Sequence, residues 1–324
     1  MSFRDFFVVR LAWAMFGLWL AATVVFVITR VLLSPADLCK DMQDADSLRC
    51  YRTVVEQQRL DEPVQERYLH FMWSLVGHQS PGHSLWNGGP DSGRVARNAL
   101  PATASVVSGA LVLALALAAA AGIGWSRVAR KWDRLIRLPI YVAVGLSPVV
   151  LGLWLSFHVG FRWGLTPVLG YCDFFNPPAD VGCGGARDWL SHLVLPVVTL
   201  SLYFAAIYTR FVRAGIDDIR AGRDAKERRD LSRRFVLVVA RMIGRDFGWA
   251  LGLAILAESL FAIPGLGRAA LVSVTNSDLV LLEAVVLYAA FLGIAVHFVV
   301  DVIVGALDPD LRAEWPVAGM PKPT

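Results

Sequence analysis

Six long apolar runs constrain this 324-residue chain more than any other feature of its sequence. They cover approximately residues 6–33, 100–123, 138–159, 189–208, 247–263 and 279–306. A run of about 20 apolar residues is long enough to cross a bilayer as one helix. Hydrophobic residues make up 56% of the chain and charged residues 18%, which is unlike the averages of soluble domains. We therefore predict an all-α integral membrane protein with six transmembrane helices, the first of them an uncleaved anchor.

The basic residues predict which side of the membrane each connection faces. Residues 210–246 separate the fourth and fifth runs and carry 11 of the 31 Lys and Arg residues. Short connections rich in Lys and Arg stay in the cytoplasm. The connection after the second run and the segment before the first are also basic, so both termini are predicted to be cytoplasmic. This rule explains the net charge of +4 better than binding to nucleic acid does.

The chain divides into three parts on this topology. Residues 1–33 form a tail and the first transmembrane helix, and residues 34–99 form a polar extracytoplasmic segment with short helices around 64–76. Residues 100–324 form a five-helix core with a cytoplasmic loop at 210–246. We interpret that loop as short helices that form a docking surface, with apolar Ile216 and Ile219 on one face and charged side chains on the other.

The four cysteines fall into two local pairs in segments that are predicted to lie outside. The pairs are Cys39 with Cys50 and Cys172 with Cys183. Oxidising surroundings permit disulfides there. The alternative is four unrelated thiols, and metal binding has little support because neither segment contains a C-x-x-C spacing. Two disulfides are the favoured interpretation.

Three carboxylates lie within or beside the runs, where an ionisable side chain is costly and is a functional candidate. Glu283 and Asp301 lie near the ends of the last run, so the simpler interpretation is that both reach water. Glu258 is deeper and is expected to face other helices or a water-filled cavity. The residues after it, Pro264 to Gly267, break the helix and form either an outer gate or a tight turn.

Small residues and prolines predict close packing and a kink. Gly244, Gly248 and Gly252 repeat once per turn at the start of the fifth run, in the spacing that lets two helices pack backbone to backbone. Ser147 and Pro148 interrupt the third run, where a kink is expected.

Enzymatic motifs are missing from the sequence. It contains no G-x-x-x-x-G-K-[ST] phosphate loop, so an ATP-driven process would need a partner that hydrolyses ATP. The nearest match to the G-x-S-G of a membrane serine protease is at Val107–Gly109 and lacks the first glycine. Its histidines form no metal-ligand set.

Four motifs together resemble a permease subunit of a bacterial ABC importer, of the B type in the oligopeptide, dipeptide and nickel permease family. The most specific is A-E-S-L-F-A-I-P-G-L-G-R at 257–268, which is similar to the family's E-x-x-F-x-x-P-G-L-G-R. The others are L-D-E-P-V-Q-E-R-Y-L at 60–69, L-P-A-T at 100–103 and A-L-D-P-D-L-R at 306–312.

The resemblance implies a type I ABC importer permease fold in the bacterial cytoplasmic membrane, working by alternating access. It implies four kinds of partner: a second homologous permease, two ATPase subunits, an extracytoplasmic substrate-binding protein and membrane lipid. The chain itself is expected to be no enzyme and to bind no cofactor, metal or nucleic acid, with ATP and Mg held by the ATPases. Peptides are the family's commonest cargo, and nickel or another small solute stays open.

The resemblance also assigns site residues. The ATPase-coupling loop comprises Asp217, Asp218, Asp224, Ala225, Arg228, Arg229, Asp230, Leu231 and Arg234. Its signature departs from the family's E-A-A-x-x-x-G, with Asp224 to Lys226 in place of E-A-A and Asp230 in place of the glycine. The outer gate is predicted from the break in the helix and the intramembrane carboxylate, and it comprises Glu258, Pro264, Gly265 and Gly267. The alternatives are a gradient-driven secondary transporter and a membrane scaffold that does not transport.

Overall fold

The computed structural model describes residues 2–32, 51–52, 55–56, 59–84, 89–126, 147–173, 183 and 185–307. Within them the chain is helical, and the extended pairing is one isolated bridge between His83 and Asp91. The helices are α1 (Phe3–Val27, continued by a π-helical turn, Ile28–Leu32), α2 (Val64–His78), α3 (Ser92–Ser126), α4 (Pro148–Leu155, continued by π-helical Ser156–Arg162), α5 (Ala186–Ala221), α6 (Ala225–Leu260), α7 (Leu266–Thr275) and α8 (Leu279–Leu307). The all-α prediction is confirmed for this part of the chain.

Four helices, α1, α3, α5 and α8, are long and apolar enough to cross a membrane. The fifth predicted span is the second half of α6, which ends at Leu260 rather than 263. The third predicted span is described only from Ser147, where α4 starts with Pro148 in its first turn. Proline suits that position because its missing N–H is not needed there. The basic connection at 127–137 lies outside the described residues, and the number six stays a prediction.

Helices α1 and α8 run antiparallel to each other. Residues later in α1 contact residues earlier in α8. The contacting pairs are Phe6 with Gly305, Arg10 with Asp301, Gly17 with Ile294, and Arg30 with Glu283. The N-terminus of α1 and the C-terminus of α8 therefore lie at the same end of the bundle. Arg233 of α6 donates a hydrogen bond to the carbonyl of Leu307, so the basic residues between α5 and α6 lie at that end too.

The centre of the bundle is the packing of α3, α5 and α6. Alanine on one helix meets larger apolar side chains on the next in a buried cluster: Val107, Leu111, Ala114, Ala118, Phe204, Ala205, Tyr208, Val212, Phe247, Ala250 and Ala254. A Cβ added at Gly122 would lie 2.9 Å from a methyl carbon of Val212, so this glycine does permit close approach. Small residues on α3 thus bring α5 close along most of its length.

The predicted cytoplasmic loop of short helices is wrong. Residues 210–246 form the adjoining ends of two 36-residue helices, α5 and α6, with a three-residue turn between them. No proline or glycine interrupts the sequence from Ala225 to Ile243, so nothing stops α6 there. At about 1.5 Å per residue, each helix is about 54 Å long, well beyond the roughly 30 Å of a hydrocarbon core. The two helices therefore continue past the bilayer as a hairpin, called here the basic hairpin (210–246).

Aromatic packing joins the two arms of the basic hairpin. The rings of Phe211 and Phe235 stack with their centroids 5.6 Å apart. A Cβ added at Gly215 would overlap the ring of Phe235, so glycine at this position lets the arms touch. The hairpin is thus a packed element rather than two separate helix ends.

Candidate functional site

The break after α6 is organised by the carboxylate of Glu258, which is completely buried. Its Oε1 accepts a hydrogen bond from the Thr103 hydroxyl at 2.6 Å. Its Oε2 accepts from the backbone N–H groups of Gly267 at 2.7 Å and Arg268 at 3.1 Å. The Thr103 hydroxyl in turn accepts from the N–H of Leu266 at 2.7 Å. Glu258 and Thr103 therefore act together as the N-terminal cap of α7.

This cap explains why the sequence folds back here. The first N–H groups of a helix have no partner within the helix, and the residue in the capping position, Gly265, has no side chain to supply one. A carboxylate satisfies these donors and is favoured by the positive end of the helix dipole. The turn from Phe261 to Gly265 brings the last residues of α6 next to the first residues of α7.

Two positions of the break must be glycine because neighbouring atoms lie too close to leave room for a side chain. A Cβ at Gly265 would overlap the carboxylate of Glu258, and one at Gly267 would lie 2.5 Å from the Cα of Ile255. Pro264, by contrast, is exposed. The structure thus brings three of the four predicted gate residues together and leaves the proline at the surface. The alternative of a tight turn between two spans is wrong because α7 intervenes.

Thr103 is a site residue that sequence reasoning missed. It belongs to the L-P-A-T motif of α3, and 155 positions separate it from Glu258. The motif indicated only the start of a span. No local sequence pattern could predict that its threonine bonds to a residue so distant in the chain.

The interpretation that Glu283 reaches water is wrong. Its carboxylate is completely buried and accepts hydrogen bonds from Arg30 Nε at 3.0 Å, Arg30 Nη2 at 2.7 Å and the Thr29 hydroxyl at 2.7 Å. The Arg30 guanidinium also lies 4.7 Å from the ring centre of Phe71 in α2. Arg67 of α2 lies outside the spanning helices. Its pKa is lowered, mainly by burial and secondly by the positive charge of Arg30. This end of the bundle thus holds a fully desolvated ion pair between α1 and α8.

Asp301 is likewise buried rather than open to water. Its Oδ2 lies 3.2 Å from Arg10 Nη1 and 3.5 Å from His297 Nε2. A cavity of about 440 Å³ lies beside this group and is also bordered by Gly244 and Gly248 of α6. Gly244 packs against Val300, but no atom lies within 4 Å of the Cβ position at Gly248 or Gly252. Close packing on this glycine face is therefore limited to Gly244 within the described structure, and there the neighbour is the side chain of Val300 rather than a backbone.

The turn of the basic hairpin is fixed by local hydrogen bonds. Asp224 is the N-cap of α6 and accepts from the N–H of Glu227 at 2.8 Å, and Glu227 accepts from the N–H of Arg223, the residue before the cap, at 2.7 Å. Arg228 Nε donates to the carbonyl of Gly222 at 3.0 Å. The D-A-K-E sequence that replaces the family's E-A-A is therefore a strong helix start.

A surface groove of about 480 Å³ lies at this turn. It is lined by Arg223, Asp224, Lys226, Glu227, Asp230, Leu231 and Arg234. Four of these were predicted from the resemblance, and Arg223, Lys226 and Glu227 were not. Of the remaining predicted coupling residues, Arg228 supports the turn, Asp217 lies 3.7 Å from Arg213, and Asp218, Ala225 and Arg229 are exposed outside the groove. The groove is a charged surface with one half-buried leucine, which suits a protein partner.

One predicted disulfide is present. Cys172 and Cys183 are bonded, with their Cα atoms 5.5 Å apart, in the connection that precedes α5. The other pair, Cys39 and Cys50, lies outside the described residues.

Comparison with known proteins agrees with these features. Residues 227–313, which contain part of the groove, Glu258, α7 and all of α8, match the family described as the binding-protein-dependent transport system inner membrane component. This match supports the resemblance to an inner-membrane permease of peptide-type ABC importers, and the four long apolar helices of the described structure agree with a multi-pass protein of the bacterial inner membrane.

The relatives are similar over nearly the whole chain. The glutathione transport system permease protein GsiC of Escherichia coli (strain K12) is 26% identical over 310 residues, which is 91% of this chain and 94% of the relative. The protein of the same name from Pectobacterium atrosepticum is 27% identical over 330 residues, covering 95% of this chain and 99% of the relative.

Proposed function

We propose that this chain is the membrane permease subunit of an ATP-driven importer of peptides. In this proposal six spans, formed by α1, α3, the α4 region, α5, α6 and α8, make half of a translocation pathway, and a second homologous permease makes the other half. An external binding protein delivers the substrate and two ATPase subunits hydrolyse ATP. The similarity to a glutathione transport permease supports a small peptide as cargo. The chain itself performs no catalysis.

The orientation follows from the basic hairpin. The hairpin, the start of α1 and the end of α8 lie at one end of the bundle. Because basic segments remain in the cytoplasm, this end is the cytoplasmic one. Glu258, α7 and the disulfide then belong to the outer half, where Glu258, Pro264, Gly265 and Gly267 would form part of the outer gate.

The single observation that carries the proposal is the groove at the hairpin turn. It lies at the position of the loop through which such permeases contact their ATPases, it is held by the Asp224 cap and the Glu227 side chain, and in this proposal it projects beyond the bilayer. Acidic and basic side chains alternate around Leu231, so a partner with complementary charges and one apolar residue would fit. ATP-driven motion would then reach the membrane through α5 and α6.

A charge reversal within the groove tests this role. Arg234→Glu changes a groove residue, whereas Arg4→Glu makes the same change on an exposed residue at the start of α1, outside the basic hairpin. We expect Arg234→Glu to lower peptide-stimulated ATP hydrolysis and uptake at least tenfold in the reconstituted complex, while Arg4→Glu stays within twofold of the parent. Co-purification by the tagged chain reports whether the ATPases are still bound.

The outcomes separate the alternatives. Equal uptake by both variants would remove the groove from the coupling surface. Recovery of the chain alone, together with uptake driven by an ion gradient, would favour a secondary transporter instead. Assembly with partners but no uptake by the parent chain would favour a scaffold.

A further inference from the structure

Helix α2 packs against the end of α1 that is farthest from the basic hairpin. The hydroxyls of Tyr68 in α2 and Thr23 in α1 are 2.8 Å apart. The ring of Phe26 in α1 lies 5.2 Å from that of Tyr68 and 5.4 Å from that of Phe71. These contacts fix where α2 lies along α1.

Two buried ion pairs give the depth of this contact. Arg10 and Arg30 of α1 are 20 residues apart and pair with Asp301 and Glu283 of α8. At about 1.5 Å per residue, the pairs are separated by roughly 30 Å, which is the thickness of the hydrocarbon core. Charged groups are least costly at its two edges. Thr23 and Phe26 then lie inside the edge marked by Arg30, so α2 lies at the membrane interface.

The apolar surface of α2 is wider than its contact with α1. Tyr68, Phe71, Met72 and Leu75 face the neighbouring helix in one cluster. Leu69, Trp73 and Val76 continue the apolar surface but are 66%, 70% and 75% exposed. Their spacing of four and three residues places them in one stripe along the helix. Water is a poor solvent for such a stripe, and at this depth the acyl chains of the adjacent leaflet cover it, as they cover the exposed apolar side chains of α1.

A basic cavity adjoins the stripe. It has a volume of about 230 Å³ and is lined by Arg30, Arg59, Arg67, His70, Phe71, Trp73, Ser74, His78 and Pro81. Arg30 is paired with Glu283 in a buried site, whereas the pair of Arg59 with Glu62, 3.2 Å apart, is partly exposed, so the Arg59 guanidinium also reaches a headgroup in the cavity. Arg67 contributes a third guanidinium to the lining. Trp73 borders both the cavity and the stripe, and tryptophan is enriched at this level of membrane proteins.

We propose that α2 is an interfacial helix that binds a phospholipid, with an acyl chain along Leu69, Trp73 and Val76 and the phosphate in the basic cavity. Amphipathic helices in this position bind through buried apolar area together with attraction to anionic headgroups. The lipid completes the packing of α2 on α1 and holds the extracytoplasmic segment against the membrane. This proposal rests on the position of α1 and α8 in the membrane and not on what the chain transports.

Photo-crosslinking in intact bacterial membranes tests the position of the stripe. The photoreactive residue p-benzoylphenylalanine replaces Val76 in the stripe or, as the control, Asp218, which is exposed on the basic hairpin. We expect irradiation of the Val76 variant to give a phospholipid adduct by mass spectrometry, at least fivefold more than the Asp218 variant. Adducts with a second permease or a binding protein at Val76, without lipid, would overturn the proposal, as would equal lipid yields.

The headgroup site is tested by lipid retention. The full chain is reconstituted in vesicles of phosphatidylglycerol and phosphatidylcholine, extracted in mild detergent and weighed by native mass spectrometry. Arg59→Gln should reduce retained phosphatidylglycerol at least threefold, whereas Arg187→Gln, an exposed arginine at the start of α5, should not. Inorganic phosphate is then added to distinguish a lipid site from a site for the free ion. Loss of the phosphatidylglycerol signal on addition would indicate a site for the free ion, and an unchanged signal is expected for a lipid site. Unchanged retention in Arg59→Gln would overturn the assignment of the cavity.

Discussion

Replacement of Glu258 by alanine should destabilise the junction between α6 and α7. The buried carboxylate accepts three hydrogen bonds, two of them from the backbone N–H groups that begin α7. Alanine leaves both N–H groups without an acceptor in a site that water does not reach. Each unsatisfied buried donor costs about 1–3 kcal/mol, so the two together cost about 2–6 kcal/mol.

Glutamine should be far less damaging at the same position. Glu258→Gln keeps the volume of the side chain and one carbonyl oxygen, which can accept from the N–H groups of Gly267 and Arg268. Its amide can then donate to the Thr103 hydroxyl, which changes from donor to acceptor. The remaining loss of folding stability comes from the missing negative charge at the helix N-terminus and is about 1 kcal/mol.

Thermal unfolding of the purified chain in detergent measures this difference. With about 2–4 °C per kcal/mol for a chain of this size, Glu258→Ala should lower the apparent Tm by at least about 5 °C, and Glu258→Gln by less than half as much. Ser259→Ala is the control, because the hydroxyl of this next residue makes no hydrogen bond within the described structure. Equal Tm values for Glu258→Ala and Ser259→Ala would refute the capping role.

Two further predictions concern packing and charge elsewhere in the bundle. Gly215→Leu drives a side chain into the ring of Phe235 and should cost about 1–3 kcal/mol, separating the arms of the basic hairpin. Trypsin should then cut the hairpin several times faster than in Ala214→Leu, the same change at an exposed neighbouring residue. Glu283→Ala leaves the Arg30 guanidinium buried without its partner and should cost about 3–5 kcal/mol. The double replacement Arg30→Met with Glu283→Leu should recover most of the lost Tm, and failure to do so would show that the pair contributes specific stabilisation.

The sequence predicted the positions of the long helices well because bilayer thickness demands runs of a set length. The last span was predicted at 279–306 and is Leu279–Leu307. The break at Pro264 was also predicted, since proline followed by glycine ends a helix. Helix α7 was not, because ten residues preceded by a glycine have neither the length nor the cap that identifies a helix locally. Its cap comes from Glu258 and from α3, and no local pattern could reveal that.

The basic hairpin shows a different limit of sequence reasoning. Charged residues between two spans were interpreted as a loop with short helices, although strong helix formers such as arginine and alanine are frequent in the segment. The deciding contact is that of Gly215 with Phe235, which packs the two arms together. The same limit applies to Glu283 and Asp301, whose arginine partners lie at the other end of the chain.

The continuity of α6 connects the two parts of the candidate site. A single helix runs from Ala225, beside the groove, to Leu260, two residues after the buried carboxylate of Glu258. It contains no proline, and its hydrogen-bonded backbone resists bending, so a displacement at the groove is transmitted along about 50 Å to the cap of α7. At that end, Glu258 bonds both to α7 and to Thr103 of α3, so a movement of α6 relative to α3 must stretch one of these bonds. In the proposed importer, closure of the ATPases would therefore act on the outer break through this carboxylate, with α1 and α8 held together by their two buried ion pairs.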